Sequence, residues 1–191
     1  MPPLSRRSAL NSGRSSWRRQ WCPALPLIGH PSSTIVICEI MHIFRRPAHP
    51  DDIPFLLTLR CQTMDRHLAA SGLGTSEADH RVRIMYRFDC AEILLRGATP
   101  VGLLKLLRDG AQWQLIQIQL SPELQGQGVG SQLLASTIAD AHAAGATLSL
   151  SVLKTNPAKV LYERFGFIVV AEDDHSYQMH RRADGGCGNS R

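Results

Sequence analysis

The sequence predicts a mixed α/β (α+β) fold: a central, mostly antiparallel sheet with helices on both faces. Three observations predict it. Short apolar runs separated by tight turn signals fill residues 91–120, which requires hairpins and antiparallel pairs. A strand, a helix and a second strand then follow over 113–153, which requires one parallel pair. Helix-spaced apolar residues lie both before and after the hairpins, so both faces of the sheet can be covered.

Each element has its own signal. His42–Arg46 reads as a short strand. Pro47–Asp52 reads as a helix entry, with Asp51 as cap or first-turn acid ahead of the apolar run Ile53–Leu59. Asp65, Arg66 and His67 are expected just after this helix. Glu77–Phe88 reads as a second helix, Ala91–Leu95 as a strand, Gly97–Pro100 as a turn and Val101–Leu107 as a strand. Asp109–Gly110 is a hairpin signal leading into the strand Trp113–Leu120, which Ser121–Pro122 ends. In Gly128–Ala144 the apolar residues Val129, Leu133, Leu134, Ile138 and Ala141 share one face, the mark of a half-buried helix. Thr147–Leu153 reads as a strand, Pro157–Phe165 as a helix, Phe167–Ala171 as a strand and Tyr177–Arg181 as another. The acidic run Glu172–Asp174 reads as a hairpin turn. The order is β-α-α-β-β-β-α-β-α-β-β.

Bulk properties narrow the function classes. The chain has 191 residues, 43% hydrophobic and 19% charged, which suits one folded domain. No apolar run reaches the roughly 18 residues a membrane span needs, so no membrane partner is expected. Residues 1–40 carry five Arg and one Glu, while the rest carries 16 Lys+Arg against 15 Asp+Glu. The basic charge therefore sits in the first 40 residues, and no nucleic-acid partner is expected of the globular part. Residues 1–40 read as a disordered basic tail, a transit peptide or a start placed too early, with Met41 as the first residue and the domain over 41–182. Residues 183–191 read as a flexible end. Cys22, Cys38, Cys61, Cys90 and Cys187 form no CxxC pair, and the eight His show no HxxH or HExxH spacing, so no metal is expected. An odd cysteine count without a secretion signal fits a reducing, cytoplasmic setting.

The chemistry gathers in Leu120-Ser-Pro-Glu-Leu-Gln125-Gly-Gln-Gly-Val-Gly130-Ser131. A strand ends, a glycine-dense turn follows and a helix begins. Glycine lets main chain approach a ligand closely, and a helix start has N–H groups without internal partners plus about half a positive charge. The junction is an anion site for a pyrophosphate. A P-loop would need a Lys after the glycines, and there is none. A dinucleotide fingerprint needs GxGxxG early in a βαβ unit, but here Ser131 stands at the third glycine position, after hairpins. An acyl-CoA loop of the form Q/R-x-x-G-x-G/A is satisfied by Gln125, Gly128 and Gly130. A glycine turn without ligand stays open on these residues alone.

A second segment joins it: Leu150-Ser-Val-Leu-Lys-Thr-Asn156-Pro-Ala158-Lys-Val-Leu161-Tyr162-Glu-Arg-Phe-Gly166-Phe167. Together, the two segments resemble the GNAT superfamily of acyl-CoA N-acyltransferases. Gln125–Gly130 matches that family's pyrophosphate loop, and the second segment matches its strand followed by NxxAxxLYxxxGF. Phe44–Ile53 resembles its first strand and helix, so the resemblance spans roughly 41–181. It implies a GNAT-like fold and direct transfer of an acetyl group from acetyl-CoA, as co-substrate, to a primary amine of a small molecule or peptide. A CoA-binding regulatory or interaction module without catalysis is the alternative, and a homodimer is a family-level expectation. By the same resemblance, main-chain groups of Gln125, Gly126, Gln127, Gly128, Val129, Gly130 and Ser131 hold the pyrophosphate, and Asn156 hydrogen-bonds the CoA arm. N–H groups near Ile118, Gln119 and Leu120 face the oxyanion, where the fourth strand should part from Thr147–Val152. Tyr162 is the acid for the leaving thiolate or packs on the CoA arm. Many relatives carry a Glu base on the fourth strand. Here that strand offers only amides, so a water chain to a more distant group is expected. Gln117 and Gln119 share a face and either line the acceptor pocket or are satisfied internally. Asp65, Arg66 and His67 either contact the acceptor or form a solvated loop.

Overall fold

The structure, a computed structural model, describes residues 43–182. The 1–40 tail, the start at Met41, the 183–191 end, and Cys22, Cys38 and Cys187 lie outside the described residues. The strands are β1 (Ile43–Pro47), β2 (Ala91–Arg96), β3 (Thr99–Asp109), β4 (Gln112–Leu120), β5 (Thr147–Leu153), β6 (Ile168–Glu172) and β7 (Ser176–Arg181). The helices are α1 (Ile53–Ala70), α2 (Glu77–Met85), α3 (Val129–Ala143) and α4 (Ala158–Arg164). One seven-stranded sheet has the order β1-β2-β3-β4-β5-β7-β6, and every pair is antiparallel except β4–β5. The expected element order holds throughout.

The two faces of the sheet carry separate cores. Leu56, Leu59, Ile84, Ile93 and Leu103 pack α1 and α2 on one face. The larger cluster packs α3 and α4 on the other, around Leu104, Leu106, Leu134, Leu148 and Phe167. Burying a Leu side chain such as Leu134 fully contributes about 1.5–3 kcal/mol, so the apolar stripe of α3 fixes its face.

The entry to α1 is built differently from the expectation. His49, not Asp51, caps a 3-10 turn over Pro50–Asp52. Asp52 is the buried acid: its carboxylate accepts from Arg46 at 2.8 and 2.7 Å and from the His49 N–H at 2.7 Å. The helix also runs further than expected, to Ala70, so Asp65, Arg66 and His67 lie inside it rather than in a solvated loop. Its last turns are held by the burial of Leu68 and by hydrogen bonds between His67 and Thr155. By contrast α2 stops at Met85, three residues early, because Arg87 adopts a left-handed φ of 51°. The Lys105 ammonium, fully buried on β3, reaches across to the carbonyls of Arg83 (3.2 Å), Ile84 (2.6 Å) and Tyr86 (2.8 Å). It satisfies the last acceptors of α2 in place of a glycine cap. The acidic run does make the β6–β7 turn, with Asp173 accepting from the N–H groups of His175 and Ser176.

Candidate active site

β4 and β5 pair only from Gln112–Thr147 to Leu115–Leu150. Beyond Leu115 β4 continues for five residues without β5, so the strands part where divergence was expected. A register shift on the β3 side helps: Lys105 opposes Gln117 while Leu106 opposes Leu115, leaving Ile116 as an extra residue. Such a bulge bends its strand and increases local twist.

Past the bulge, the direction of each peptide group can be read. The Ser121 N–H donates to Val101 on β3 at 2.9 Å. Peptide groups in a strand alternate sides, so Gln119 also faces β3, whereas Ile118 and Leu120 face the gap that β5 has left. Gln125 confirms the direction, since its Nε2 donates to the Leu120 carbonyl at 3.0 Å. The Ile118 and Leu120 N–H groups thus point into the gap.

The glycine turn closes one end of the same gap. Gly126 and Gly128 have φ of 75° and 80°, a region that L side chains rarely adopt, and Gly128 is the N-cap residue of α3. Gln132 N–H makes the bond to the Gly128 carbonyl at 3.0 Å. The preceding N–H groups of Val129, Gly130 and Ser131 belong to the open first turn. A Cβ built on Gly130 meets only Leu120 Cδ1 at 3.6 Å, so Ala would fit there too. The Gln127 side chain turns back to the Glu123 carbonyl, and Val129 is buried in the core, so these two offer the gap main chain only.

A cleft of about 450 Å³ occupies this gap. Its walls bring together Ile118, Gln119, Leu120, Gln125, Gly126, Gly130, Asn156, Tyr162 and His67. A second hollow of about 360 Å³ continues past Gly128 and Ser131. Gln117 is placed apart: it lines neither hollow, and its Oε1 is buried without a hydrogen-bond partner. Gln119 is buried and donates to Thr63 Oγ1 of α1 at 3.1 Å, so its amide is largely satisfied internally.

Tyr162 is 8% exposed and meets Phe167 edge-on, with ring centroids 5.8 Å apart. Burial pushes its phenol up to about 12. It therefore stays protonated at neutral pH and can donate. Asn156 Oδ1 accepts from the Ala158 N–H at 2.9 Å, starting α4. Its remaining donor is the amide nitrogen.

The α1 wall was not legible beforehand. Thr63, Met64, Arg66 and His67 line the cleft. Thr63, Arg66 and His67 are spaced i, i+3 and i+4, the one-face pattern of a helix, and that pattern has meaning only because α1 runs on to Ala70. His67 Nδ1 lies 3.0 Å from the Thr155 carbonyl, and Thr155 Oγ1 donates to the His67 carbonyl at 2.9 Å. A carbonyl only accepts, so Nδ1 carries the hydrogen and the neutral ring keeps its lone pair on Nε2. No carboxylate lines the cleft among the described residues.

Comparison with known proteins agrees with this geometry. Residues 90–169 match the family described as acetyltransferase (GNAT) domain. Curated protein sequences give no match. Among solved structures, the PaiA N-acetyltransferase of Thermoplasma acidophilum, crystallised in complex with coenzyme A, is 19% identical with a TM-score of 0.59, over 74% of this chain and 99% of that one. The ribosomal-protein-S18-alanine N-acetyltransferase of Escherichia coli is 18% identical with a TM-score of 0.57, over 78% of this chain and 99% of that one. An acetyltransferase of Thermus thermophilus is 24% identical with a TM-score of 0.58, over 73% of this chain and 96% of that one.

Proposed function

Because residues 90–169 match the acetyltransferase (GNAT) domain family, we propose that the chain is an N-acetyltransferase that moves an acetyl group from acetyl-CoA to a primary amine of a small molecule or peptide. One observation carries the reading: an open helix start, two inward N–H groups of a parted strand and a buried tyrosine line a single cleft. The residues fit CoA, since an anion cradle at one end leads into a slot lined by Leu120, Leu134 and Leu161.

Acetyl-CoA supplies the activated acyl group as a thioester. The N–H groups of Gly126–Ser131 hold the pyrophosphate, and the Asn156 amide nitrogen donates to the CoA arm. An ordinary amine with pKa about 10.4 needs about 4–5 kcal/mol to lose its proton at pH 7. His67 Nε2 takes that proton, directly or through water, because it is the neutral lone pair the cleft wall offers. Ile118 and Leu120 N–H groups stabilise the charge that grows on the carbonyl oxygen; fixed donors of this kind are a large catalytic term. Tyr162 gives its proton to the departing sulfur.

The test is to incubate the full chain with acetyl-CoA and a panel of primary amines, following free thiol. Amine-dependent thiol release is expected. Tight CoA binding without turnover on any amine would instead support a CoA-binding module.

A further inference from the structure

The face of α1 turned from the cleft carries a second group of reactive side chains. Cys61 and Asp65 stand i, i+4 on α1, and His80 comes from α2. One donor atom from each lies within 4.8 Å of the other two. From this we infer that Cys61, Asp65 and His80 form a binding site for a zinc-class divalent cation joining α1 to α2.

The state of His80 carries the inference. Its side chain is fully buried, and neither ring nitrogen has a hydrogen-bond partner. Nε2 sits 2.7 Å from Asp65 Oδ1, which is also buried and also without a hydrogen bond. The two atoms touch without the alignment of a donor and an acceptor. A buried polar atom left in this way costs roughly 1–3 kcal/mol, and an ordinary His–Asp pair would remove that cost by rotating into line. A cation set between them removes it, because it accepts lone pairs from both atoms.

The donor set selects the ion. Thiolate, imidazole and carboxylate together suit zinc, whereas calcium and magnesium take oxygen alone. Donors on one tetrahedral zinc stand roughly 3.3–3.8 Å apart, so the His80–Asp65 contact at 2.7 Å must open by about 0.6 Å to admit the ion, and no pair of donors is more than 4.8 Å apart. Cys61 is exposed, so the fourth position opens to solvent and would take water. Spacing rules that search for ligands close in sequence cannot find this set, because its members sit on two helices. Pinned to α2, α1 would hold its opposite flank, with Thr63, Arg66 and His67, in register with the cleft. The site does not depend on acyl transfer.

The experiment uses the full chain, stripped by chelator and reloaded with Zn²⁺ or Co²⁺. Metal content and the near-ultraviolet thiolate-to-Co²⁺ absorption are compared for the wild type, Cys61→Ser and the outlying Cys90→Ser. Cys61 is exposed, so its variant should fold, and circular dichroism of the metal-free forms checks this. Wild type and Cys90→Ser are expected to hold one zinc equivalent more than Cys61→Ser and to show the band, with zinc affinity at least about tenfold lower in Cys61→Ser. Equal uptake and an equal band in Cys61→Ser would overturn the site, as would failure of the wild type to bind either ion.

Discussion

At Tyr162 the same burial that packs the ring also keeps its proton. Because its folded pKa is raised to about 12 from 10.0, its contribution to stability is complete below the unfolded value and is lost as pH rises toward 12. The rate should therefore show no alkaline fall from this group below about pH 10. Tyr162→Phe is expected to lower kcat on the order of 10²-fold, a general-acid magnitude; an unchanged kcat removes it from the chemistry. His67→Gln separates two roles. Glutamine can still donate to the Thr155 carbonyl but takes no proton at neutral pH. Expected is a fall in kcat on the order of 10²-fold with the KM for acetyl-CoA unchanged, read from steady-state kinetics. A rise in that KM alone would make His67 a structural latch.

At the level of elements, two buried charges hold helix ends. Asp52 fastens the entry of α1 through Arg46, and that hydrogen bond holds its carboxyl below the ordinary carboxylate range. The sign follows: its stabilisation is present above the unfolded pKa of about 3.9 and is lost as pH falls through the lower folded value. Asp52→Asn should cost about 1–3 kcal/mol near neutral pH, and the gap from wild type should close under acid in urea titrations. Lys105 ends α2. Burial, then repulsion from Arg60, lowers its pKa to about 8, yet three carbonyls around Nζ are the setting of an ammonium. Lys105→Met leaves those acceptors bare and should cost about 3 kcal/mol, measured the same way. A neutral result would mean that water replaces the ammonium.

For the molecule as a whole, the proposed ligand should be visible as stability. CoA at 100 times its Kd should add about 2.7 kcal/mol, while ATP and NAD add nothing; stabilisation by ATP or NAD and not by CoA would point to a nucleotide-binding protein. Much of this architecture was legible from residue order. Val129, Leu133, Leu134, Ile138 and Ala141 mark the buried face of α3, and Asp109–Gly110 marks the β3–β4 hairpin, because both signals are local. The glycines at 126 and 128 marked the turn before α3 for the same reason: backbone conformation there is a property of the residue itself. What the sequence by itself determined was the order of elements, the mixed sheet and the glycine-rich turn that opens α3. Only the tertiary structure decided that α1 runs to Ala70 and supplies a cleft wall, that Gln117 lies away from the cleft, and that His80 meets Cys61 and Asp65. Those facts depend on which distant side chains share a space, and no spacing along one chain encodes that until the sheet has brought α1, α2 and β4 together.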